Sequence, residues 1–126
     1  MTKEAALYSF WSSFGIPAYE VNTVPTGKDA PTFPYLTYDV KTDSFGGEPV
    51  SLTVNLWYRS DSWVEINAKT EEISKRIGRG GMLLTCDSGA IWVRRGSPFA
   101  ISYSEDPDDM VKYKYINITA EFLTAE

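Results

Sequence analysis

The sequence predicts an α+β fold, a single domain over residues 1–126 with two helices packed on one face of a mainly antiparallel β-sheet. Two stretches carry apolar residues at three- and four-residue steps, the period of a helix with one buried stripe. Other stretches alternate apolar and polar residues, the period of a strand with one buried face. The helical and strand-like segments are segregated in the order helix, hairpin, helix, hairpin, strand, which is the α+β pattern.

The first helix is expected at about Thr2 to Phe14, with Leu7, Phe10, Trp11 and Phe14 as its buried stripe. Thr2 is its natural N-cap, and Gly15 followed by Pro17 stops it. Ala18 to Val21 reads as a short strand. Pro25, Gly27, Pro31 and Pro34 then mark a surface loop. Tyr35 to Lys41 is rich in β-formers, and Thr42 to Pro49 links it to the clearest strand, Val50 to Tyr58. There Val50, Leu52, Val54, Leu56 and Tyr58 point one way and Ser51, Thr53, Asn55 and Trp57 the other. Thr23–Ala30 and Thr42–Pro49 combine breakers with few apolar anchors and are expected to be the least ordered internal segments.

Ser62-Trp63-Val64-Glu65 has the form of a capping box. Trp63, Ile66, Thr70, Ile73 and Ile77 continue as a helical stripe to Gly78. Met82–Cys86 and Ala90–Arg95 flank a turn at Asp87-Ser88-Gly89. Ser97 to Asp109, with Pro98 and Pro107, reads as irregular. The last strand is expected at about Val111 to Leu123, with Ile116, Ile118, Ala120 and Phe122 on its apolar face.

Composition then excludes several kinds of function. The net charge is −5, and no basic run is longer than Arg94-Arg95, so the phosphate-neutralising cluster of a nucleic-acid binder is missing. No apolar run approaches the ~20 residues that span a bilayer. The opening residues lack the architecture of a signal peptide, so synthesis and folding are expected in a cytosol. Histidine is absent, which removes the commonest general base and the Ser-His and Cys-His nucleophile pairs. The single Cys86, set in an apolar strand, reads as a structural thiol. No enzyme activity, metal or cofactor is expected.

Gly78-Arg79-Gly80-Gly81 follows a helix, whereas a phosphate cradle precedes one, so it reads as a cap and turn. Glu105-Asp106-Pro107-Asp108-Asp109 lacks the spacing of a helix–loop–helix calcium site. It reads either as a solvated acidic loop or as a seam, in which Asp106, Asp108 and Asp109 of one copy meet Arg94 and Arg95 of the next. Both readings stand open. Trp57 lies on the polar side of its strand and Trp92 sits between Ile91 and Val93; core packing is the favoured reading for each.

Leu7-Tyr8-Ser9-Phe10-Trp11, Phe14-Gly15-Ile16-Pro17-Ala18-Tyr19, Phe33-Pro34-Tyr35-Leu36-Thr37-Tyr38, Leu56-Trp57-Tyr58-Arg59, Arg95-Gly96-Ser97-Pro98-Phe99 and the closing Tyr115-to-Phe122 strand together resemble a family. They are similar, in order and over essentially the whole chain, to small tail-terminator and tail-completion proteins of long-tailed bacteriophages and prophages. No single motif is diagnostic. The resemblance implies a virion structural protein that forms a hexameric ring on the last ring of the tail tube. Its partners would be itself, the major tail protein and the head connector, with little self-association in dilute solution. Head–tail stoppers and tube subunits are the nearest alternatives. A small ligand-binding domain is a more distant one.

Overall fold

The computed structural model describes residues 1–104 and 110–126. It is an α+β domain whose six strands form one sheet in the order β1-β2-β3-β6-β5-β4. The elements are α1 (Lys3–Ser12), β1 (Ala18–Glu20), β2 (Tyr35–Tyr38), β3 (Val50–Arg59), α2 (Val64–Ile77), β4 (Met82–Cys86), β5 (Gly89–Ser104) and β6 (Val111–Thr124).

The sheet is mixed, not mainly antiparallel as the sequence suggests. β1 pairs with β2 in parallel, through Ala18↔Leu36, Tyr19↔Thr37 and Glu20↔Tyr38. The cause lies in residues 21–34, which are long enough to carry the chain back past β1 before β2 begins, as a parallel pair requires. The other neighbours run antiparallel. The closing strand β6 sits centrally, between β3 and β5. Its even-numbered residues Ile116, Ile118, Ala120 and Phe122 are buried with Leu52, Val54 and Leu56 of β3 in one apolar cluster.

Both helices contribute to that cluster. Thr2 caps α1 by accepting the Ala5 amide at 3.1 Å, and Leu7, Phe10, Trp11 and Phe14 are buried. α1 touches β1 and β4, the two edges of the sheet, so the sheet curls around it. α2 lies against β3, β5 and β6 and buries Ile66, Thr70, Ile73 and Ile77. Its start differs from the expected capping box. The N-cap is Trp63, Ser62 Oγ accepts the Val64 amide at 3.1 Å, and the Ser62 amide donates to Ser60 Oγ.

One further expectation is revised. β5 does not stop at Arg95 but runs on to Ser104, with a register shift between Arg95 and Ala100 that absorbs the Ser97-Pro98 step. A proline has no amide to give a ladder, and a bulge is where a strand tolerates it. The loop at Thr42–Pro49 is tied to the body: Lys3 Nζ donates to Asp43 O at 2.9 Å and the Phe45 amide to Thr124 O at 2.8 Å. Gly89 closes the β4–β5 turn at φ 145°, where a Cβ would lie 2.1 Å from the Leu123 carbonyl oxygen. A Gly89→Ala substitution is therefore expected to destabilise the fold by about 1–3 kcal/mol, measured by urea unfolding.

Candidate interaction surface

The odd-numbered side chains of β3 and β6 point away from the buried cluster. Thr53, Asn55 and Trp57, with Tyr113, Tyr115, Asn117, Thr119 and Glu121, are only half-buried. Across this face runs a row of rings set by strand register. Tyr35 lies opposite Trp57, Trp57 opposite Tyr113, and Tyr113 opposite Tyr103. The rings stack in the same sequence, with centroids 6.1, 4.7 and 5.3 Å apart and planes within 15–24° of parallel. Tyr19 and Phe33 abut Tyr35 at one end, and Tyr115 meets both Tyr103 and Tyr113 at the other. The neighbouring row, Thr37–Asn55–Tyr115–Ile101, is also uncharged.

This geometry decides what the surface can hold. A sugar or base platform offers ring faces to its ligand. Here Trp57 and Tyr113 spend their faces on their neighbours and turn edges outward, which suits contact with another protein. Tyrosine and tryptophan with little charge is the composition of the centre of a protein–protein interface. The Trp57 indole N–H is satisfied within the chain, by Thr37 Oγ1 at 3.2 Å. Asn55 Oδ1 is buried without a hydrogen-bond partner among the described residues.

Both tryptophans thus lie on the half-buried face, against the expectation of core packing. They differ in role. Trp92 holds the glycine turn, its Nε1–H donating to Gly80 O at 3.0 Å, while the Arg94 guanidinium covers its ring at 4.0 Å. A β-strand cannot aim adjacent residues the same way, and the sequence-adjacent pair Arg94-Arg95 is split accordingly. Arg94 bridges to Glu121 at 3.1 Å on the half-buried face. Arg95 donates to Ser74 Oγ of α2 at 2.9 Å. Asp106, Asp108 and Asp109, the other half of the expected seam, lie outside the described residues.

Burial raises the Tyr35 pKa above the ordinary tyrosine range, with Tyr19 adding to the effect. Tyr38 and Tyr58 are raised as well, first by burial and then by Glu20 and Tyr8, and by Glu65 and Glu72, respectively. A phenol whose folded pKa is raised contributes stability that is complete below the unfolded value, near 10, and is lost as pH rises through the folded value. Stability should accordingly be flat with respect to these groups at neutral pH and fall above about pH 10. Ultraviolet titration should show a late-titrating set of tyrosines, and uniform titration at the free-tyrosine value would contradict the packing.

Among the described residues, no group of three or more His, Cys, Asp or Glu side chains could hold a metal ion. No described helix is long and apolar enough to cross a membrane. Cys86 is half-buried at the end of β4. Comparison with known protein families, curated proteins and solved structures finds no match for the chain.

Proposed function

We propose that this chain is a non-enzymatic virion structural protein, a tail-terminator or tail-completion subunit whose ring caps the phage tail tube and joins it to the head connector. The observation that carries the reading is the uncharged aromatic row Tyr35–Trp57–Tyr113–Tyr103 on a half-buried sheet face. It gives the subunit a rigid surface for a protein partner. In this reading the two helices form one layer over the opposite sheet face, so that the aromatic side stays free to dock. The likeness of its sequence segments to small phage tail proteins supplies the identity of that partner, the tail tube. The absence of histidine and the single cysteine agree with a role exercised through contacts.

A closed ring needs two different complementary patches on each subunit. The seam pairing Arg94 and Arg95 with Asp106, Asp108 and Asp109 of the next copy remains a proposal, and Arg95 is its better probe. Arg94 already balances Glu121, so its reversal disturbs the subunit itself. Arg95→Glu should leave the fold intact and weaken ring closure, and Asp108→Lys with Asp109→Lys should restore it. Capping unaffected by Arg95→Glu would remove Arg95 from the seam.

The function is tested by deleting the gene in its phage and imaging the particles. The expected result is tails of uncontrolled length and heads without tails. Normal virions from the deletion would refute the reading.

A further inference from the structure

The edges of the sheet differ in how they are protected. β1 is only three residues long, and beyond it the chain turns away at Val21–Thr23, with Thr23 Oγ1 donating to Glu20 O at 3.1 Å. Short, quickly diverted strands are how proteins blunt an edge. At the opposite edge α1 touches β4 and Met1 O accepts the Asp87 amide just past its end, but the strand residues themselves carry no such device. That edge is also stepped: β4 covers β5 only along Gly89–Val93, so Ala100–Ser104 has β6 on one side and no described strand on the other. Neither Met82–Cys86 nor Ala100–Ser104 contains a charged residue or a proline.

Register tells which main-chain groups are free. The Ser60 amide donates to Met110 O and the Ala125 amide to Ser88 O, so even residues of β6 face β3 and odd residues face β5. Ile101 and Tyr103, opposite Tyr115 and Tyr113, therefore spend their main-chain groups on β6, and Ala100, Ser102 and Ser104 turn theirs outward. By the same alternation Ile91 and Val93 face Leu84 and Met82, which leaves the amides and carbonyls of Leu83 and Thr85 outward. The side chains along this edge are apolar and exposed: Leu83 at 58%, Ile101 at 38% and Tyr103 at 39%.

We infer that the stepped edge pairs with a second copy of this chain across a two-fold axis normal to the sheet, before the subunits are built into a ring. A half-turn about that axis drops β4 of each copy into the recess beside Ala100–Ser104 of the other. The two strands then run parallel, and the sheets keep the same face up. In the register with Leu83 opposite Ile101 and Thr85 opposite Tyr103, every outward group of Leu83 and Thr85 finds a mate. The Leu83 amide meets the Ala100 carbonyl and the Ser102 amide meets the Leu83 carbonyl. The Thr85 amide meets the Ser102 carbonyl and the Ser104 amide meets the Thr85 carbonyl. The exposed side chains Leu83, Ile101 and Tyr103 are brought side by side. A contact of this kind is isologous, each copy giving and receiving the same strands.

A two-fold contact does not occur within a single cyclic ring, so the dimer precedes the ring and opens as subunits reach the tube. It would keep two uncharged strand edges from pairing with other chains in the meantime. Dimer formation does not depend on the tail reading, which it goes beyond, and it departs from the weak self-association that the sequence suggests.

The test is sedimentation equilibrium of the full chain at micromolar concentration. The expected mass is twice the 14.1 kDa of the chain. Thr85→Pro and Ser102→Pro each remove an outward amide and no ladder bond within the subunit, and each should give monomer with an unchanged circular-dichroism spectrum. If a proline variant unfolds, Leu83→Lys and Ile101→Lys, at exposed side chains, should give the same shift to monomer. A wild-type protein that sediments as monomer would overturn the inference. So would dissociation by Thr85→Pro but not by Ser102→Pro, which would mean that β4 pairs with β4. A monomer that still caps tails would refute the dimer alone; a dimer that leaves tails uncapped would refute the tail reading alone.

Discussion

Replacing Ile73 with Ala is expected to lower the free energy of unfolding by about 2–5 kcal/mol. Ile73 is fully buried on α2, between Thr70 and Ile77, in the cluster shared with Ile118 and Ala120 of β6. The substitution forfeits the transfer energy of the lost methylene and methyl groups and leaves a cavity that a rigid helix–sheet contact only partly closes. Set against a typical total of about 5–15 kcal/mol for a domain, this is a large fraction. Urea unfolding should show the midpoint falling at constant slope. A loss under about 0.5 kcal/mol, typical of a surface site, would mean that α2 is rotated away from the sheet.

The second large effect concerns docking. Trp57 is stacked between Tyr35 and Tyr113 at the middle of the aromatic row, with its indole N–H fixed by Thr37. Each aromatic pair is worth about 0.5–1.5 kcal/mol beyond area burial, so Trp57→Ala should cost the isolated subunit about 1–3 kcal/mol and leave it folded. An anchor of this type at the centre of an interface contributes about 2 kcal/mol or more to binding, roughly a thirty-fold change in affinity. Under the proposed tail role, binding of the variant to purified tail tubes should fall by at least that factor. Tyr8→Ala provides the control, because Tyr8 is exposed on α1 and outside the row. Equal losses from Trp57→Ala and Tyr8→Ala would mean that the row is not the docking face.

Local pattern made much of this legible in the sequence. The nine-residue alternation from Val50 to Tyr58 and the stripe Ile66, Thr70, Ile73, Ile77 each describe one element burying one side, and both appear in the structure. The parts that were not legible depend on register between distant segments. Nothing near Ala18–Glu20 signals that its partner runs parallel, because that depends on the path of residues 21–34. Pro98 reads as a strand breaker, yet β5 passes through it by a change of register. No local pattern marks Lys112, at the start of β6, as a buried residue. It is buried, with its Nζ donating to Ser60 O at 2.7 Å and lying over the Trp63 ring.

The aromatic row is the clearest such case. Tyr35, Trp57, Tyr103 and Tyr113 lie on four strands and become neighbours only once β6 has entered between β3 and β5. Sequence alone singled out the dense charges at Arg94-Arg95 instead. In the fold these part to opposite sides of β5, and one of them is taken by Glu121. Charge clusters are visible in a sequence, whereas a cross-strand row of rings exists only in the register.

Under the proposed tail role, hydroxyl-radical footprinting of the protein with and without tail tubes tests the central claim most directly, since tryptophan and tyrosine side chains report their own solvent exposure. Bound to tubes, Trp57, Tyr103 and Tyr113 should lose reactivity, while Tyr8 on α1 should keep its own. Bound protein whose Trp57, Tyr103 and Tyr113 react as in the free subunit would contradict the account.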